Sequence, residues 1–400
     1  MTGEGAEPPA GNGRRNHSYY RMTPFEIATG WLTGEDASAD WSPPSRAGIA
    51  PLEALEAVLT PALARPPCVL AFSGGRDSSA VLAVARAVAL REGLPPPIAA
   101  TLRYTGDGAA EESEWQERVV RHLGVDDWER VPGDCSADLL GPVGTDGLRR
   151  RGLVWPPAHH TFIPLLRLAA GGTLVTGHGG DEVFGDRRPT PLLRLMAGRL
   201  PRRSNDAMDT LLALAPRTAR RRMFARALRA DSARSWLRPA ARDRFAAALA
   251  ADQAAEPLTW AASTLRLRRM RAWRAGFRNQ DLVAAEEGAA MLRPLQDRLF
   301  LDALVRHTPR WGFADREAAM RSIFSPVVPG DVLGRRSKAV FNRVVFGHHS
   351  REFAARWTGH GVPADLVDPE VLLRFWQARV PHALSFALLQ SAWLAEQGTV

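Results

Sequence analysis

Cys68-Val69-Leu70-Ala71-Phe72-Ser73-Gly74-Gly75-Arg76-Asp77-Ser78-Ser79 decides the fold. Cys68 to Phe72 is an apolar run too short for a helix, and Ser79 to Leu90 continues as an Ala, Val and Leu stretch with few polar positions. A buried strand therefore feeds a buried helix through a glycine-rich turn. Two adjacent glycines let the backbone approach an anion closely, and the amides that follow open the helix toward it. Ser73, Ser78 and Ser79 add hydroxyl donors, while Asp77 would repel a phosphate unless a divalent cation lay between them. The turn reads as a site for a phosphate group with magnesium. A tight strand-to-helix turn accounts for the double glycine but not for three serines and an acid.

Outward from this turn the alternation repeats. Ile98 to Tyr104 reads as a strand, Glu112 to Leu123 as a helix, Trp128 to Val131 as a strand, Thr161 to Ala170 as a helix and Thr173 to Thr176 as a strand. Upstream, Leu52, Leu55, Leu59 and Leu63 have helical spacing that Pro66-Pro67 stops. The fold class is α/β with a doubly wound parallel sheet, whose ligands sit beyond the carboxyl ends of the strands. Thr176 is followed there by Gly177-His178-Gly179-Gly180-Asp181-Glu182-Val183-Phe184-Gly185, which places a second acid, Asp181, where it could share a metal with Asp77. Past residue 190 the composition turns to Ala, Leu and Arg with helical periodicity. Leu267, Met270, Trp273 and Phe277 form a core-facing stripe there, flanked by Arg268, Arg271, Arg274 and Arg278. The expected division is a flexible N-terminal segment over 1–48, with the apolar island Phe25 to Leu32 docking as a short helix, an α/β core over 49–190 and a helical part over 191–400.

Of the 52 lysines and arginines, one is a lysine, Lys338. A Walker-type loop needs Gly-x-x-x-x-Gly-Lys-Ser/Thr, but Ala339 follows Lys338 and the first glycine is missing, which excludes P-loop NTPases. A protein kinase needs a lysine on an early strand, and none precedes Lys338. The net charge of +9 favours an acidic partner such as a nucleotide, an acidic peptide or RNA. Cys68 and Cys135 are too few for a structural zinc site or a disulfide framework, so the expected compartment is reducing. Met1 to Arg15 lacks an apolar signal region and no membrane-length apolar run follows, so a cytoplasmic protein without a membrane span is expected.

The two glycine-rich loops, in this order at strand ends, resemble the asparagine synthetase family. Its ATP-pyrophosphatase loop is Ser-Gly-Gly-x-Asp-Ser, and its second signature is Gly-x-Gly-x-Asp-Glu-x-Phe-Gly. The similarity continues at Met291-Leu292-Arg293-Pro294-Leu295-Gln296-Asp297, a drifted form of Arg-x-Pro-Phe-Leu-Asp. At Arg336-Ser337-Lys338-Ala339-Val340-Phe341, similar to Arg-x-Lys-x-x-Phe, the lone lysine falls on the family's catalytic lysine. The resemblance implies a sheet of the ATP-pyrophosphatase (adenine nucleotide α-hydrolase-like) type with a large α-helical C-terminal half, and a ligase that uses ATP and Mg2+. A carboxylate attacks the α-phosphate of ATP, giving an acyl adenylate and pyrophosphate, and an amine then displaces AMP to form an amide. The resemblance further implies that Ser73, Gly74, Gly75, Asp77, Ser78 and Ser79 hold pyrophosphate, that Asp77 and Asp181 hold magnesium, and that Phe72, Leu102, Thr176 and Gly177 line the adenosine site. Lys338 would stabilise charge on the phosphate and on the tetrahedral intermediate, where losing one donor typically costs about 10²- to 10³-fold in rate. A point charge on a flexible stem suits that task better than a wide planar guanidinium.

His178 stands where asparagine-forming members carry Glu and β-lactam-forming members carry Tyr. A neutral imidazole there either deprotonates the attacking amine or merely fills the loop. The glutamate that precedes the family's Arg-x-Pro segment is Ala290 here, with Glu286 and Glu287 the nearest acids. The family's Met-Cys-Gly start and glutaminase domain have no counterpart in a chain that begins Met1-Thr2-Gly3, so the expected amine is free ammonia, a partner's product or part of the substrate. From Arg336 through Leu366-Val367-Asp368-Pro369 to Leu388-Leu389-Gln390 the chain is similar to the specialised-metabolism branch, which includes lasso-peptide macrolactam synthetases. The leading reading is an amide ligase of specialised peptide or natural-product biosynthesis, taking a small-molecule or peptide carboxylate, with a precursor peptide or a separate ammonia source as partner. Ammonia-dependent asparagine synthesis comes second. A non-catalytic or RNA-binding relative built on the basic segment Arg220 to Arg238 comes last, because the acids and the lysine are intact. The doublets His159-His160 and His348-His349 lack metal-ligand spacing and read as structural or substrate-facing.

Overall fold

Apolar residues on both faces of short strands dictate a sheet buried on both sides, and the computed structural model, which describes residues 18–36, 48–104, 113–198, 204–335, 342–378 and 380–398, has that architecture. Strands β1 (Cys68–Ala71), β2 (Ile98–Arg103), β3 (Trp128–Pro132), β4 (Thr173–Thr176) and β5 (Ala290–Leu292) form one parallel sheet in the order β3-β2-β1-β4-β5. From β1, Cys68 and Leu70 pack into a cluster with α2 (Pro51–Leu63), α3 (Arg76–Glu92) and the helices Arg298–His307 and Arg316–Phe324. Val69, between them, joins Ile163, Leu166, Val283 and Ala284 on the opposite face. The strand order reverses between β1 and β4, which makes the crevice above that pair the topological switch point. Ala71 is the register partner of Thr176, and Val175 of Leu292. The loops after β1 and β4 and the residue Arg293 therefore leave the sheet at one level.

Two features depart from the sequence expectations. β5 lies in the half that reads as helical, because three residues without a β-branched side chain leave no periodic signal. On the helix Arg271–Glu286 the buried face is Ala272, Ala275, Gly276, Asn279, Gln280, Val283 and Ala284, while Trp273 and Phe277 are only half-buried beside it. Small residues bring this helix close to Trp155, and Asn279 fixes the spacing by donating to the Trp155 carbonyl at 2.8 Å and accepting the Tyr20 amide at 2.7 Å.

Residues 18–36, within the segment expected to be mobile, are built into the body. The helix α1 (Pro24–Thr29) starts with a capping box between Thr23 and Glu26, and Ala28 and Leu32 are fully buried. Trp236 donates its indole N–H to the Ala28 carbonyl at 2.9 Å, and Arg266 pairs with Glu35 at 2.6 Å. This apolar island joins a second, helical cluster that holds Trp236, Trp357, Trp376 and Trp393. Among the described residues no helix is long and apolar enough to cross a membrane.

Candidate active site

Gly75 caps α3 in extended backbone, so the first amides of a 17-residue helix face the crevice above β1. The carbonyls of the turn are tied back: Gln116 Nε2 donates to Ser73 O at 3.1 Å and Arg335 Nη1 to Gly74 O at 2.9 Å. What remains toward the crevice is donor surface, suited to an anion. The three serines differ. Ser73 is exposed at the rim, whereas Ser78 is buried, its Oγ 3.1 Å from both Ser73 Oγ and Gly75 O, and braces the turn. Ser79 is fully buried, and its Oγ has no partner among the described residues, so the expected third hydroxyl donor lies in the core.

Of the expected adenosine-lining set, Leu102, at the carboxyl end of β2, and Gly177 are half-buried. Phe72 and Thr176 are each 1% exposed. Phe72 packs edge-on against Trp128, its amide bonded to Ala100 O at 2.8 Å and its carbonyl accepting from Thr101 Oγ1 at 2.7 Å. Phe72 shares the sheet face of Cys68 and Leu70, and the buried side chains of Phe72 and Thr176 support the crevice from beneath.

The two loops touch through their glycines. A Cβ on Gly177 would lie 2.8 Å from the Ser78 amide nitrogen, so the loop after β4 rests directly on the start of α3. Asp77 and Asp181, contributed by separate loops, share one partner: Arg316 Nη2 bonds both Asp77 carboxylate oxygens at 2.6 and 2.5 Å, and Arg316 Nη1 bonds Asp181. Burial pushes the Asp77 carboxyl above its ordinary range, while Arg316 pulls it down. Two carboxylates that reach a common cation, completed by phosphate oxygens and water, make a donor set that fits Mg2+. Among the described residues no group of three or more His, Cys, Asp or Glu could hold a metal ion. Sequence reading misses Arg316: nothing in Asp315-Arg316 announces a contact with loops so distant along the chain.

Beside Asp181 lies a less charged wall. His178 packs edge-on against Phe162 with ring centres 5.0 Å apart, and burial together with the nearby Arg293 guanidinium pushes its imidazole down to about 4. It is neutral at pH 7, and a much weaker base than an ordinary histidine. Arg293, at the carboxyl end of β5, is held by Asp281 at 2.8 Å and Gln280 at 3.1 Å. Gln296 donates to the Gly179 carbonyl at 3.3 Å, which gives the drifted motif after β5 a direct contact with the second loop. Glu286 and Glu287 do not reach this wall. They precede β5, at the amino ends of the strands, where Glu286 bonds Arg151 at 2.6 Å and Glu287 bonds Arg167 at 2.9 Å.

Lys338 lies outside the described residues. His159 and His160 are buried and bond the carbonyls of Pro156 and Ala137, which makes that doublet structural. The basic segment Arg220 to Arg238 is divided: Arg220 is 2% exposed and bonds the carbonyls of Ala254 and Glu256, Arg234 bonds Thr29 O and Arg238 bonds Ala364 O, while Arg221, Arg222, Arg226 and Arg229 are exposed. Arginine's several donors suit it to the unpaired carbonyls that helix ends leave.

The family described as asparagine synthase matches residues 53–394. The curated proteins contain no match to this chain.

Proposed function

The chain belongs to the asparagine synthase family, and from that premise we propose that it is an AMP-forming amide ligase of specialised peptide or natural-product biosynthesis. Members of the family are ATP-dependent, amide-bond-forming ligases that bind ATP, usually with Mg2+. The observation that carries the reading is the meeting of Asp77 and Asp181, from two separate signatures, around a single cation at the switch point.

In this reading Ser73 and the first amides of α3 hold the phosphates that leave as pyrophosphate, and Leu102 and Gly177 border the adenosine. Asp77 and Asp181 would hold Mg2+, which when bound would supply positive charge to offset that of the phosphates. A substrate carboxylate oxygen attacks the α-phosphorus, and the bond to the bridging oxygen breaks as pyrophosphate leaves. An amine then adds to the acyl carbon, loses a proton, and AMP departs with one former carboxylate oxygen. The role the resemblance gives Lys338 is to offset the negative charge that grows in both steps; Arg335 bonds the first loop at Gly74. Ala290 replaces the family's glutamate and Glu286 and Glu287 are engaged elsewhere, which favours a peptide or metabolite acceptor over aspartate.

Nucleotide products test the reading. Purified protein with ATP and Mg2+ is given peptides bearing both an acidic side chain and a free amino terminus, and separately aspartate with ammonium. AMP and pyrophosphate formed with peptide are expected. ADP and phosphate would overturn the ligase chemistry, and asparagine from aspartate would replace the substrate assignment.

A further inference from the structure

Arg316 does more than neutralise two acids. It is the first residue of the helix Arg316–Phe324, whose cap, Asp315, accepts the Ala318 amide at 2.8 Å. A cation at that end opposes the helix dipole, which favours negative charge there. Its Nε is buried without a partner among the described residues. The guanidinium is therefore held by Asp77 and Asp181 and by little else.

Arg316 and a divalent ion compete for the same carboxylate lone pairs, most directly at Asp77. Mg2+ binds oxygens at about 2.0–2.1 Å and demands near-octahedral geometry, whereas both oxygens of Asp77 already point at Arg316 Nη2. Arg316 bonds both acids with a single charge, Arg76 adding its field to both, whereas a divalent ion brings two charges to the same position. Solvent reaches the cluster from the Asp181 side, where the carboxylate side chain is 45% exposed against 17% for Asp77.

We propose that Arg316 is a positioning residue that holds the cation position between Asp77 and Asp181 and yields it to the divalent ion. It keeps the two loops together and keeps a bare metal ion out, so the ion enters when phosphate oxygens supply the remaining ligands. Once the acids are neutralised by the ion, the helix dipole drives the guanidinium away from them. The inference rests on the reading of Asp77 and Asp181 as magnesium ligands.

Mn2+ serves as the probe, its free-ion paramagnetic resonance signal being titrated against wild type, Arg316→Met and Arg316→Lys, with and without α,β-methylene-ATP. Without nucleotide, Arg316→Met is expected to bind Mn2+ about tenfold or more tightly than wild type, within the range that coupled sites commonly show. Adding Asp181→Asn should abolish the gain. Binding no tighter than wild type overturns the proposal. Arg316→Lys, whose single point charge cannot span both acids, should fall between the two; if Arg316→Met does not fold, Lys-variant affinity equal to wild type overturns it instead. Failure of the underlying reading looks different: with the nucleotide analogue and Arg316 intact, Asp77→Asn and Asp181→Asn would leave Mn2+ binding unchanged.

Discussion

A Cβ added to Gly180 would stand 2.2 Å from Cγ of Asp77, so the second glycine-rich loop is moulded around the acid of the first. Gly180→Ala must displace Asp77 or the loop, and overpacking of this kind costs about 1–3 kcal/mol. Thermal unfolding should register that loss, and ATP binding should weaken with it. Gly48→Ala is the control, since a Cβ there meets nothing within 4 Å, and it should leave both measurements unchanged.

Lys338 is the one lysine in the chain. Lys338→Ala should lower the rate of pyrophosphate release by about 10²- to 10³-fold. Lys338→Arg should recover little of it, because a planar fork cannot take the place of a compact ammonium. Full activity in the arginine variant would show that charge alone is required.

His178 is held neutral by burial and by Arg293, with its imidazole pushed down to about 4. The pyrophosphate-release rate should therefore show no inflection near 6.5 that His178→Gln removes. The variant should also lose less than the ~10²-fold that marks the lower end of general acid–base contributions. A larger loss, with an inflection that disappears in the variant, would restore His178 as the base.

Burial and the neighbouring His160 push His159 from 6.5 to about 3. Between those values the unfolded chain binds more protons than the folded one, so stability rises with pH through the window and is lost as pH falls from about 6.5 toward 3. Wild type should lose more melting temperature between pH 7 and pH 5 than His159→Asn does. Parallel curves would show that this imidazole does not couple folding to pH.

The strands that carry the signatures were legible because buried parallel strands leave continuous apolar runs, and because glycines and acids follow them directly. β5 was not, since Ala290–Leu292 is short and contains no β-branched residue. The buried face of Arg271–Glu286 was misread because large apolar residues stand beside a face built from alanine, glycine and asparagine. The candidate site was legible as two separate loops but not as an electrostatic unit. Arg316 reaches Asp77 through the fold of the helical half, and no local pattern encodes such a contact. Ser79 shows the converse: a motif position that reads as a phosphate donor is turned into the core by the first turn of α3.

The central claim is that a carboxylate oxygen attacks the α-phosphorus of ATP. With whichever carboxylate supports turnover, labelled with 18O in both oxygens, the AMP released during amide formation is collected and weighed by mass spectrometry. The account predicts one 18O atom in each AMP and none in pyrophosphate. Unlabelled AMP, or label in inorganic phosphate accompanied by ADP, would contradict it.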